Sequence, residues 1–279
     1  MFPQKSETAS GSSGLGSGTR RGMKVREIGD IAAESVTLLG AGRAILLQLA
    51  HPAVGHGVAR HSVFAQDPMK RLHGTLRYIY SLTAGTPEQA AEVAAHVDAV
   101  HARVRGSAAG DGSHPAYDAR DPELQLWVAA TLHDSAMRVY DAVYPVVPEE
   151  AAEEVYRGYA VLGTALQLPE GMWPATRADF SEYWERGVAG LRVDATTRAV
   201  AHELLHSRKV SWFLRPAMPL ARLVTTGLLP EQLREPFGLP WSPRHERAFQ
   251  TVLRTVAAVY PRLPRAVRHA PMRYYLRAG

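Results

Sequence analysis

The chain has 279 residues, 46% of them hydrophobic and 21% charged. That is enough for one large core or two small ones, and it excludes a wholly disordered or fibrous protein. A formal charge of +5 with no cysteine rules out disulfides, thiolate metal centres and iron–sulfur clusters, and leaves imidazole as the strong soft ligand. No basic run is interleaved with aromatics, which argues against nucleic acid as a partner.

Residues 1–22 are rich in Gly, Ser and Thr, with almost nothing to bury. They read as a disordered tail, or as a non-native leader ahead of a natural start at Met23, leaving 23–279 as one helical domain. The best apolar run, 36–55, is broken by Arg43, Gln48 and His51, short of the roughly 18 residues that a membrane span needs. The Arg20–Arg21 pair is followed by the charged stretch MKVREIGDIAAE rather than the apolar core of an export signal. A cytoplasmic protein without an integral membrane segment is expected.

Ile28, Ile31, Ala32, Val36 and Leu39 recur every three or four residues, the pattern of an amphipathic entry helix. VTLLGAGRAI has the GxG of a dinucleotide-binding turn but lacks the third glycine, and no strand–helix alternation follows. Pro52 starts a short helix, and Asp67–Pro68 opens another that carries Leu72, Leu76, Ile79 and Leu82 on one face. Thr86–Pro87–Glu88–Gln89 starts a helix running through Val93, Val97, Val100 and Val104 to Gly106. Residues 106–120 form a Gly- and Asp-rich loop. Asp121–Pro122–Glu123 then restarts helix into the strongly apolar 124–144.

Further helical patterns cover 149–168, 172–191, 196–207, 212–229, 230–237 and 243–260, and a basic amphipathic tail spans 262–277. No convincing period-two strand or hairpin signal occurs. The fold class is all-α.

Several side-chain patterns could carry chemistry. His202–Glu203–Leu204–Leu205–His206 matches HExxH, which places two helical histidines for zinc and a glutamate as base. The third ligand would have to be His245 or Glu246; the bland reading is a polar surface stripe. His133–Asp134–Ser135 are consecutive on a helix and point apart, so they form no catalytic relay. Asp134 in an apolar helix needs a partner, most simply an arginine or a backbone N–H. His51, His56 and His61 stand five apart and do not line one helix face. Arg71 and Thr75, four apart, share a face. His101 sits at the margin of the valine stripe, where a half-buried neutral imidazole suits an axial ligand and equally suits a satisfied core residue.

The strings LLQLAHPAVGHGVARHSVF, DPMKRLHGT, VHARVRG, YDARDPELQLWVAATLHDS and LLPEQLREPFGLPWS resemble the MpaB-type oxygenase family, whose relatives include the rubber oxygenases (latex clearing proteins). The similarity spans about residues 27–260. It implies a single multi-helix, globin-like core around haem b, and O2-dependent oxidation or C=C cleavage of an apolar, isoprenoid-like small molecule. Carried over by motif, His101 is the iron ligand, and Arg71 and Thr75 line the distal side. Latex clearing proteins can place a lysine just before that threonine; here the position is Gly74, so the distal site is expected to be open, water-bound or closed by a neighbour such as His73. Arg43, Arg77, Arg103 and Arg105 are the propionate partners to consider, and the apolar helices 124–144 and 210–229 the substrate walls. Two other readings stay open: a zinc metallohydrolase on His202, Glu203 and His206, and a haem-binding or sensing protein without turnover.

Overall fold

In the computed structural model, described for residues 25, 27–61, 68–112, 114–144, 147–207 and 215–277, one helix organises the rest. This is α6, Pro122–Val143, whose 22 residues are the longest helical run among the described residues. Its start follows from the sequence: the Asp121 carboxylate accepts the Glu123 N–H at 2.9 Å, and Pro122 sits where no intrahelical N–H is needed. It ends at Val143, with Tyr144 as the capping residue.

Three apolar clusters surround α6. Leu126, Ala129, Ala130 and Tyr140 pack with α4 (Pro68–Ala84), α5 (Pro87–His101), α7 (Glu149–Gly158), α8 (Val161–Thr164) and α9 (Arg177–Ala189). Trp127 faces a second cluster, built on α2 (Ala41–Ala50), α3 (Pro52–His61), α10 (Ala195–Leu205) and α12 (Glu231–Arg234). Val139 and Val143 join α11 (Met218–Leu228) and α13 (Pro243–Val259). With apolar contacts to three clusters the helix is central, and a narrow strip that includes Arg138 and Asp141 is left for water. The short helices α1 (Ile28–Ala32), α14 (Arg265–Arg268) and α15 (Ala270–Arg277) complete a helical domain. Among the described residues no helix is long and apolar enough to cross a membrane.

The all-α expectation holds except at one place. The loop after α5 carries a two-residue antiparallel ladder, Arg105 opposite Asp118 and Gly106 opposite Tyr117. The helix expected to run to Gly106 stops at His101, because Arg105 and Gly106 are committed to that ladder. The GAG turn is helical rather than a phosphate cradle. A Cβ on Gly42 would lie 2.1 Å from the Thr225 hydroxyl oxygen, so glycine there lets α2 and α11 approach. The region expected as one helix over 149–168 is two, α7 and α8, separated by a turn. The N-terminal tail and Asp67 lie outside the described residues.

Two buried charges tie the fold together. Arg43, fully buried, meets Asp134 at 2.5 Å, donates to the Leu228 carbonyl and the Ser135 hydroxyl at 2.8 Å, and lies over the Trp184 ring. Glu34, also fully buried, receives Arg268 at 2.5 Å, the Tyr144 hydroxyl at 2.7 Å and His269 at 3.0 Å, which clasps α14 to the core. Burial alone would raise the Glu34 carboxyl, yet these partners hold it below its ordinary value.

His133 is enclosed by Tyr156, Tyr159, Trp173 and Phe180, with ring centroids 4.6 to 5.9 Å away. Its Nδ1 has no hydrogen-bond partner, and burial, with a smaller effect from Arg177, pushes the imidazole down to about 3. The folded protein therefore keeps His133 neutral while the unfolded chain binds a proton below about pH 6.5. Stability is full above that pH and falls toward the folded value. About 2 kcal/mol is expected to go between pH 6.5 and 5. Urea midpoints across this range should show the loss, and His133→Leu should flatten it; an equally steep decline in the variant would assign the acid sensitivity elsewhere.

Candidate functional site

Helices α4 and α5 run one after the other and pack together, and the space between them and α6 is a cavity of about 720 Å³, within the usual size of a small-molecule or cofactor site. The α5 start is fixed by a reciprocal cap: Thr86 Oγ1 accepts the Gln89 N–H at 3.3 Å, and Gln89 Oε1 accepts the Thr86 N–H at 3.1 Å. That start sets which α5 face looks inward. Val93, Val97, Val100 and His101 line the cavity from α5, and Leu124, Val128, Ala129 and Leu132 from α6.

Arg71, Thr75 and His101 all line this one cavity. Arg71 and Thr75 share a face of α4, as their spacing predicts, and His101 closes the last turn of α5. The His101 Nδ1 is buried with no hydrogen-bond partner, an exception that asks for an explanation in a folded protein. Burial, then the charge of Arg71, holds the imidazole below its ordinary value, while Asp98 pulls weakly the other way. The ring is neutral at pH 7 and carries a lone pair, which is the state that can bind a metal. Enclosure pushes the Arg71 guanidinium down to about 10, so it stays cationic.

Behind His101 lies a network that the sequence reading did not anticipate. Asp98, one turn earlier on α5, takes Arg120 in two hydrogen bonds of 2.9 and 2.5 Å and Gln167 at 2.7 Å. Gln167 in turn exchanges bonds with Gln125 of α6, at 2.6 and 2.9 Å. These bonds fix the end of α5 against α6 and so position the imidazole. The available signal was the spacing Asp98–His101, which puts a carboxylate on the histidine's face. Lys70, His61, His96, Tyr117 and the C-terminal Tyr274 and Tyr275 also reach the cavity. The last two could not be placed from sequence, because the contact crosses 202 positions to His73, whose Nδ1 pairs with the Tyr275 hydroxyl.

Other expectations are redistributed. Of the four arginines considered for an acidic ligand group, only Arg77 lines the cavity, paired with Glu92 at 3.0 Å; Arg43 is in the core with Asp134, and Arg103 and Arg105 are exposed outside the cavity wall. Helix 124–144 contributes its first half to the wall. The described part of 210–229 does not, since α11 packs on α2 and α13 instead; residues 210–214 lie outside the described residues. His51 accepts the Val54 N–H at 3.4 Å and His56 binds Asp194 at 2.5 Å, so of that trio His61 alone reaches the cavity. His202, Glu203 and His206 are exposed, and the two rings stack 4.3 Å apart. Of the two residues considered as a third ligand, His245 bonds Ser242, and Glu246 bonds Trp241 and Gln250. Among the described residues no group of three or more such side chains could hold a metal.

At Gly74, a Cβ would meet nothing within 4 Å, so the residue is not required by packing. Gly74→Ala is expected to raise stability by about 0.5–1 kcal/mol through helix propensity alone. A thermal melt checks this, and a lowered midpoint would mean that the position is constrained by something else.

Proteins described as uncharacterized from Mycobacterium bovis and Mycobacterium tuberculosis are each 37% identical to this chain over 214 residues, covering 75% of it and 83% of theirs. No solved structure matches the chain. Residues 29–258, which include α4, α5 and α6 entire, match the family described as ER-bound oxygenase mpaB/B'/Rubber oxygenase, catalytic domain. The chain belongs to this family of oxygenase catalytic domains.

Proposed function

We propose that the protein is a haem b-dependent oxygenase that uses O2 to oxidise, or cleave at a C=C bond, an apolar isoprenoid-like small molecule. The observation that carries this is the meeting of an unpartnered, neutral His101 with Arg71 and Thr75 in one aliphatic-walled cavity, inside an oxygenase catalytic domain. The residues suit the group: one free imidazole nitrogen for iron, apolar walls for a macrocycle, and cationic side chains of Lys70, Arg71 and Arg77 for its carboxylates. The helical core would then be globin-like in its use. Bound haem would supply the O2 and electron-transfer chemistry.

The chain's own part is positioning. His101 would hold the iron through one ring nitrogen, and the Asp98–Arg120–Gln167 network would keep its helix end from shifting. The Thr75 hydroxyl would offer a hydrogen bond into the cavity it shares with His101, and the Arg71 charge would stabilise negative charge there. Val97, Val128 and Leu132 exclude water and hold an apolar substrate.

Titrating purified protein with ferric haem tests the reading. A Soret band saturating at one haem per chain, followed by O2 consumption with unsaturated isoprenoid substrates, is the expected result. Saturable haem uptake with no O2 consumption across such substrates would favour the sensor reading, and absence of uptake would overturn the cofactor assignment.

A further inference from the structure

The surface beyond α13 is not used by the cavity chemistry. After Glu246 the chain has seven arginines and no acidic residue through to Gly279. Within this stretch Arg262, Arg265, Arg273 and Arg277 are exposed. Among them stand exposed apolar side chains: Val259 at 53%, Leu263 at 36%, Val267 at 54% and Tyr274 at 64%. Of the large hydrophobics that are exposed among the described residues, most lie here. Residues 262–267 are exposed without a break.

This surface is held in place rather than trailing. Arg268 points inward to Glu34, Arg273 donates to the Ala266 carbonyl, and the Gln89 side-chain amide donates to the Leu276 carbonyl at 3.0 Å. Exposed aliphatics kept on a fixed basic surface are costly in water and favourable at an interface that is apolar beneath and anionic above. Tyr274 both lines the cavity and is exposed, so the cavity reaches the outside beside this patch.

We propose that the segment 259–277 is a docking face for an anionic lipid surface, on which the protein sits peripherally with its cavity mouth toward the bilayer. Arginines engage lipid phosphates while Val259, Leu263, Val267 and Tyr274 enter the headgroup boundary. Charge complementarity selects the partner. A polyanion such as nucleic acid would use the arginines but leave the aliphatics in water, so lipid accounts for both. The face begins just beyond the matched segment 29–258, at the end of α13. Docking does not depend on the oxygenase reading; only its consequence does, that an apolar substrate passes from lipid to cavity without crossing water.

The test is co-sedimentation of the full chain with vesicles of phosphatidylcholine alone and with vesicles of phosphatidylcholine mixed with anionic phosphatidylglycerol. Binding to the anionic vesicles alone is expected, weakening as salt is raised. The variant R262Q/R265Q/R273Q/R277Q should bind on the order of several hundredfold more weakly, since each surface arginine is worth about fivefold and there are four. The separate variant V259S/V267S should bind the same vesicles several-fold more weakly while keeping its salt dependence. Its exposed positions make misfolding no explanation, and circular dichroism of both variants checks this. Equal binding by both variants, or none by the parent, overturns the proposal, as does tighter binding to a DNA or RNA oligonucleotide than to the vesicles. Because the readout needs neither haem nor substrate, it can fail while the oxygenase reading stands.

Discussion

The His101→Ala variant is expected to take up haem at least about a hundredfold more weakly than the parent and to show no Soret band at stoichiometric haem. Loss of even outer-shell support for a metal ligand costs 10–100-fold, and the ligand itself should cost more. The variant separates ligation from structure unusually well. His101 is half-buried, and its Nδ1 makes no hydrogen bond, so truncation leaves no partner unsatisfied inside the protein. The melting temperature of the haem-free form should therefore move little, by no more than the loss of a partly buried ring. Imidazole added to the buffer should restore part of the Soret absorbance by filling the vacated space. His202→Ala, on the exposed surface of α10, should leave the spectrum intact. A His101→Ala protein that keeps its Soret band would remove His101 from the proposed site. A His202→Ala protein that loses it would revive the surface histidines.

How legible this was depended on the range over which each feature is determined. Caps, prolines and apolar periodicity act within a few residues, so the starts of α5 at Pro87 and α6 at Pro122 were readable from Thr86 and Asp121. The end of α5 was not, because Arg105 and Gly106 are claimed by pairing with Tyr117 and Asp118 across the loop. Arg71 and Thr75 share a face by helical geometry alone, but nothing local says that His101 looks toward them. That expectation rested on resemblance, and the packing of α4 on α5 puts all three on one cavity. Missed entirely were Gln125 and Gln167, 42 positions apart, and the tyrosines of α15, which have no periodic or motif signal. Asp134 was read as an acid in need of a partner without its partner being identifiable. Arg43, which meets it, had been considered for the cavity and lies in the core instead.

That pair supports the second large effect. Asp134→Ala is expected to destabilise the protein by about 3–5 kcal/mol, the cost of leaving a buried cation without its counter-ion. Arg43 has no exposed side-chain surface, and burial is the largest influence lowering its basicity, with Asp134 the chief opposing one. Without the carboxylate, the guanidinium keeps the Leu228 carbonyl, the Ser135 hydroxyl and the Trp184 ring. None of these is charged, and Arg138, whose Nε stands 3.4 Å from Asp134, becomes an uncompensated like charge. Against a usual total of about 5–15 kcal/mol this is a large fraction, and the melting temperature should fall by about 10 °C. The pair joins α2 to α6 below α11, away from the cavity wall, so haem uptake measured well below the melt should be unchanged. The double variant Arg43→Met with Asp134→Leu should recover most of the loss, because the penalty belongs to the stranded charge rather than to the missing attraction. If Asp134→Ala is within about 0.5 kcal/mol of the parent in stability, the range of an ordinary surface substitution, then water or a side-chain shift reaches Arg43 and the junction is less dry than its geometry indicates. If the double variant is as unstable as the single one, the guanidinium's bonds to Leu228 and Ser135, rather than its charge, are what hold α2, α6 and α11 together.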